Sequence, residues 1–160
     1  MNSKLIIGVL VLAVVGLVVV MAKPRLDKSA PSAESSRGLV AVMYKSPSCT
    51  CCLQYASYLK KLGYGVHIEG IEDMSEIKSR FGVPYELESC HTMELEGYII
   101  EGHVPEEAIQ KLLTERPDIK GIGLAGMPSG SPGMPGSKTA SFVIYEITRD
   151  GTKGEVFMTI

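Results

Sequence analysis

Apolar positions along this chain fall into one unbroken run, a polar interval, and a long stretch where short β-branched runs alternate with segments of near-helical spacing. The run at residues 5–22, LIIGVLVLAVVGLVVVMA, carries no charge. As a helix at about 1.5 Å per residue it reaches roughly 27 Å, close to a hydrocarbon core of about 30 Å. This predicts a transmembrane helix. A cleaved export signal is the rival reading, because Val20-Met21-Ala22 resembles a small-residue cleavage site, although the run exceeds the usual ~7–15 residue apolar core of such signals. Basic residues flank both sides, so charge sets no orientation. Either reading exports the remainder of the chain, as a membrane-anchored extracytoplasmic domain (periplasmic or cell-surface) or as a secreted one if the segment is cut. Residues 23–37, KPRLDKSAPSAESSR, are polar without periodicity and read as a flexible linker. Residues 38–160 are long enough to enclose one hydrophobic core.

Within that domain the period of the apolar pattern switches repeatedly. Leu39 to Tyr44 reads as a buried strand that meets a loop at Lys45-Ser46-Pro47. Leu53, Ala56, Tyr58, Leu59 and Leu62 then recur at helical spacing before Gly63, a suitable stop. Val66-His67-Ile68 predicts a second strand and Met74 to Arg80 a short helix. Pro84 precedes an extended segment through Met93, and Tyr98-Ile99-Ile100 is a further strand. Val104-Pro105-Glu106-Glu107 is a helix start, with acids at the positive dipole end, for a helix running to about Arg116. The stretch Gly121 to Gly136, GIGLAGMPSGSPGMPG, is too rich in Gly and Pro for regular structure and predicts a long loop. Ala140 to Ile147 and Glu155 to Ile160 flank Asp150-Gly151 as a terminal hairpin.

The order β-α-β, α, then β-β-α predicts an α/β, thioredoxin-like fold with a mixed sheet, preceded by the transmembrane helix. All four cysteines lie in two clusters, Cys49-Thr50-Cys51-Cys52 and Cys90-His91. The first opens the first helix, where free backbone amides favour thiolate over thiol. Pro84 falls where this fold places a cis-proline facing the cysteine loop, which would bring Cys90 and His91 to the first cluster.

The segments YKSPSCTCC, GVPYELESCHT, GYIIEGHVP and GMPSGSPGM resemble, in the same order, the CopG-type copper-resistance family of small exported metal-binding proteins. The resemblance implies a thioredoxin-like domain in which Cys49, Cys51, Cys52 and Cys90 hold a polynuclear Cu(I) cluster, for copper resistance or homeostasis. Most members of that family place a Trp or similar bulky residue shortly after the CxCC motif, whereas Tyr55 is the nearest aromatic here, a departure that bears on packing more than on chemistry.

The residues themselves leave two chemistries open. Crowded thiolates suit Cu(I), which accepts two or three soft ligands and can be bridged to further ions. Zinc is the weaker fit, since structural zinc sites usually draw on two separated knuckles. The alternative is a thiol-disulfide oxidoreductase using Cys49 and Cys52, which form a CxxC; that chemistry has no need of Cys51 or Cys90. A copper-linked redox activity is also open. His91, next to Cys90, is expected on the opposite face of a regular strand. His103 either caps the following helix or donates to a metal. Met127 and Met134 sit in repeated Gly-Met-Pro settings as soft donors for copper capture, and His67 reads as surface or packing. From residue 38 onward 11 basic residues face 16 acidic ones, a formal net charge of −5. This argues against nucleic acid or an anionic bilayer surface as partner. The implied partners are copper ions, copper-handling proteins of an export pathway, and the membrane through the N-terminal helix.

Overall fold

The structure, a computed structural model, describes residues 38–160. The transmembrane segment and linker read from the sequence lie outside the described residues. Among those described, no helix is long and apolar enough to cross a membrane.

The elements run β1 (Val40–Lys45), α1 (Thr50–Lys61), β2 (Gly65–Gly70), α2 (Met74–Phe81), a 3-10 turn (Tyr85–Leu87), β3 (His91–Leu95), β4 (Tyr98–Glu101), α3 (Glu106–Glu115), β5 (Gly121–Gly123), β6 (Val143–Ile147) and β7 (Lys153–Thr159). They form an α/β domain around one seven-stranded mixed sheet in the order β2-β1-β3-β4-β5-β6-β7. The pairs β1/β2 and β4/β5 are parallel, and the others are antiparallel.

Strand alternation distributes the core over both faces. Ala41, Met43, Met93, Leu95 and Ile100 pack with Tyr55, Ala56 and Leu59 of α1 and Ala108, Ile109 and Leu112 of α3. Residues of the other parity, including Ile99 and Ile147, pack with Phe81 at the end of α2 and with Val83 and Leu87 beyond it. Helix ends follow capping chemistry. Asp73 accepts from the Ser75 amide at 2.9 Å, and Gly82 ends α2 in the left-handed conformation. Lys60 and Lys61 lie in the last turn of α1, at the negative end of its dipole. The amide of Glu106, free at the start of α3, donates to the Tyr58 hydroxyl at 3.0 Å and so ties α3 to α1.

Three expectations need correction. No peptide bond is cis among the described residues, so Pro84 is trans; it enters the 3-10 turn at φ −69°, ψ 140°. The segment after it is not continuously extended: it turns, and β3 begins only at His91. The glycine-rich stretch starts as a strand, because β5 occupies its first three residues and lies in the middle of the sheet. Glycine there permits close approach rather than flexibility: a Cβ on Gly121 would lie 1.9 Å from the Ile99 carbonyl oxygen. The remainder is a hydrogen-bonded loop, with the Gly130 amide bonded to Pro135 O and that of Met134 to Ser131 O.

Candidate metal centre

Three segments, the turn from β1 into α1, the bend leading into β3 and the turn after β4, converge on one cluster of donors. Cys49 caps α1, its sulfur accepting from the Cys52 amide at 3.3 Å. The turn before it is held from below: Lys45, 3% exposed at the end of β1, donates its ammonium to the carbonyls of Ser46 and Pro47 at 2.6 and 3.2 Å. Cys49 and Cys52 are joined by a disulfide, while Cys51 and Cys90 are free. Cys51 Sγ lies 3.4 Å from Cys49 Sγ and 3.8 Å from Cys90 Sγ, and Cys52 Sγ lies 3.5 Å from Cys90 Sγ. All four sulfurs fall within 4.8 Å of one another.

Cys90 also faces two imidazoles. Its sulfur is 3.3 Å from His91 Nδ1 and 3.0 Å from His103 Nε2, and the three donor atoms lie within 4.8 Å of each other. The expectation that His91 would point away from Cys90 fails because Cys90 lies in the bend before β3, where strand alternation does not apply. His91 is fully buried, with its ring centroid 4.8 Å from Tyr55 and 5.0 Å from His103. Its Nε2 has no hydrogen-bond partner among the described residues. His103 Nδ1 lies 2.7 Å from the Pro132 carbonyl, which can only accept, so Nδ1 carries the proton. In the neutral ring Nε2 then presents its lone pair to Cys90, the orientation a metal-ligating imidazole takes.

Electrostatics keep these groups uncharged without a metal. Burial, the neighbouring charge of Cys51 and its hydrogen bond push the Cys90 thiol up to about 12. Burial, then the charges of His103 and Lys78, hold His91 well below the usual imidazole range, and burial lowers His103. The unfolded chain protonates these rings below about pH 6.5 and the folded chain resists, so stability falls as pH drops through that window. For fully buried His91 the slope is at most about 1.4 kcal/mol per pH unit. Urea unfolding of the metal-free chain at pH values from 7.5 down to 5 is expected to show the decline, and His91→Leu to reduce it. Glu101, raised by burial, acts with the opposite sign nearer its own range, and the paired comparison removes its contribution.

The other sequence candidates lie elsewhere. Met134 lines a groove with Gln54, Ser57, Tyr58 and Lys61 along α1. Met127 is 52% exposed and follows Gly126, whose carbonyl accepts from the Ser89 hydroxyl beside Cys90. His67 is on the surface, 2.8 Å from Glu69. Lys45, Ser89 and Glu101 fall within the segments that carry the family resemblance, and Tyr55 follows the first of them, but no donor chemistry marked them; only the fold shows what they touch. Tyr55, the nearest aromatic after the first cysteine cluster, is fully buried against both imidazoles and donates its hydroxyl to Val104 O at 2.8 Å.

Fold and cluster together define a small α/β protein with a cysteine and histidine centre able to hold metal. A family model described as "Protein of unknown function, DUF411" matches residues 87–134. Two solved structures of a copper resistance protein copG, forms 2 and 1, are each 38% identical to the chain, with TM-scores of 0.70 and 0.69. Each match covers 76% of this chain, and 98% and 97% of the respective neighbour. Among curated proteins there is no match. The chain belongs to the CopG-type copper-resistance family.

Proposed function

We propose that this chain is a Cu(I)-binding protein of copper resistance or homeostasis, built on a thioredoxin-like domain that an N-terminal membrane helix holds outside the cytoplasm. The observation that carries the reading is the placement of four sulfurs within 4.8 Å, with Cys90 shared between them and the two imidazoles. Sulfur and imidazole are soft and borderline donors, the set that selects Cu(I) over hard cations. The thioredoxin-like assignment draws its support from the parallel β1-α1-β2 unit with thiols at the N-terminus of α1, and from the antiparallel β3-β4 pair leading into α3.

Full use of the four sulfurs requires the Cys49–Cys52 disulfide to be reduced, and loading displaces the thiol protons, that of Cys90 included. Several bridged ions per chain fit four closely spaced thiolates. Cys49, Cys51, Cys52 and Cys90 are the proposed ligands, with His91 and His103 completing the set on the Cys90 side. Met127, exposed next to the Ser89 contact, and Met134 are proposed capture donors. Transfer partners would be copper-handling proteins of the same export route.

The disulfide itself favours one second reading, thiol-disulfide exchange through Cys49 and Cys52. Metal content separates the two. The reduced chain, exposed anaerobically to Cu(I) and Zn(II) together, is expected to retain several copper ions with its thiols protected. In Cys51→Ser copper stoichiometry is expected to fall while the fold persists. Absence of retained copper, together with full disulfide-exchange activity in Cys51→Ser, would overturn the copper reading in favour of the oxidoreductase.

A further inference from the structure

An ion pair is buried behind the donor cluster, on the opposite face of the sheet. Glu101 ends β4 with the parity of Ile99, so its side chain leaves the face that carries α1 and meets Lys78 from α2. The two side chains are 0% and 7% exposed. Each carboxylate oxygen is further engaged: Oε2 accepts from the Thr92 hydroxyl at 2.6 Å, and Oε1 accepts from the backbone amide of Ser89 at 2.6 Å.

The Ser89 contact links this pair to the donor cluster. Ser89 precedes Cys90 and belongs to no strand, so the sheet offers its amide no ladder partner and the carboxylate supplies one. The same residue anchors the other side of the cluster. The Glu101 carbonyl accepts from Leu124 N at 3.0 Å, and the next amide, of Gly102, donates to His91 O at 3.1 Å. His103 comes directly after. At Gly102 (φ +77°) a Cβ would meet Ser89 Cβ at 2.7 Å, so the two donor-bearing segments are in close contact.

Desolvation makes a buried ion pair a poor source of stability, and an apolar pair of similar volume often serves as well. Fixing the backbone beside Cys90 is an effect an apolar pair cannot reproduce. We infer that Glu101, charge-balanced by Lys78, is a positioning residue for the Cys90 loop, holding Cys90 Sγ in reach of Cys51, Cys52 and His103 through the Ser89 amide. The consequence for copper affinity rests on the proposed Cu(I) function, whereas the effect on Cys90 itself does not.

The test uses the full-length chain carrying Lys78→Met with Glu101→Leu, which removes both charges together. Thermal unfolding is expected to remain cooperative at a modestly lower temperature than the parent's, because the Thr92 hydroxyl and the Ser89 amide lose their acceptor. In the reduced, metal-free chain the rate of Cys90 alkylation by iodoacetamide, resolved from the other thiols by mass spectrometry, is expected to rise several-fold. Cu(I) affinity, measured against a chromophoric chelator, is expected to fall by about 10–100-fold, as when an outer partner of a metal ligand is removed. Lys78→Met with Glu101→Gln restores a carbonyl acceptor for the Ser89 amide without charge, and is expected to return the alkylation rate toward the parent value. Ser89→Pro deletes the amide from the other side, after a residue already in the extended conformation proline requires of its predecessor, and, measured against Ser89→Ala, which removes only the hydroxyl bonded to Gly126 O, is expected to match the apolar pair. An unchanged Cys90 rate in folded Lys78→Met with Glu101→Leu, or in folded Ser89→Pro, overturns the positioning role. A parent chain that binds no Cu(I) defeats only the functional reading.

Discussion

Cys90→Ser is expected to weaken Cu(I) binding more than any other single ligand substitution, and beyond the ~10–100-fold that loss of an outer partner costs. Cys90 is the residue common to both donor groups: its sulfur sits 3.5 Å from Cys52 Sγ, 3.8 Å from Cys51 Sγ and 3.0 Å from His103 Nε2. Replacing it with a hard oxygen separates the sulfurs at the start of α1 from the imidazoles and, on the proposed Cu(I) reading, leaves the soft donor set one sulfur short. The side chain is only partly buried and serine is slightly smaller, so the fold should remain. Competition against a Cu(I) chelator, with unfolding followed alongside, checks the expectation. Parent-like affinity in a folded Cys90→Ser chain would remove Cys90 from the ligand set.

Gly121→Ala is expected to have the largest effect on stability, exceeding about 4 kcal/mol, the range reserved for severe core and backbone lesions. A Cβ there would meet three backbone atoms of Ile99, at 1.9, 2.6 and 2.8 Å. Backbone in the middle of a sheet cannot move aside as a flexible side chain would. Gly121 pairs with Ile99 on one side and Ile147 on the other, so the added methyl acts where β5 joins β1–β4 to the β6–β7 hairpin. Urea unfolding should register the global loss. Hydrogen exchange should show β6 and β7 losing protection first. A loss of under about 1 kcal/mol, the size of an ordinary substitution, would mean that β5 yields without strain.

Patterns with a local cause were readable. Helices α1, α2 and α3 are announced by apolar spacing and by their end residues, and β1, β2, β4 and the hairpin by β-branched runs between turn signals. Reading failed where the cause is a partner distant in sequence. Gly121-Ile122-Gly123 has composition typical of a loop, yet it is a strand because it pairs between β4 and β6, with Ile99 at a distance from Gly121 that only glycine tolerates. The direction of His91 depended on where β3 starts, which pairing with β1 and β4 decides.

The same division holds for the site. Thiol chemistry belongs to the residue types, so the clusters Cys49-Thr50-Cys51-Cys52 and Cys90-His91 could be recognised as soft donors from the sequence alone. The element order placed the first of them at a helix start. Tertiary structure alone decided that His103 turns Nε2 to Cys90, that Tyr55 backs the imidazoles, and that Lys78 and Glu101 lie behind the loop. The physical reason is that capping, periodicity and donor softness act within a few residues of chain. Distances between sulfurs, imidazoles and a buried carboxylate depend on how strands remote in sequence are paired, and no short segment encodes that.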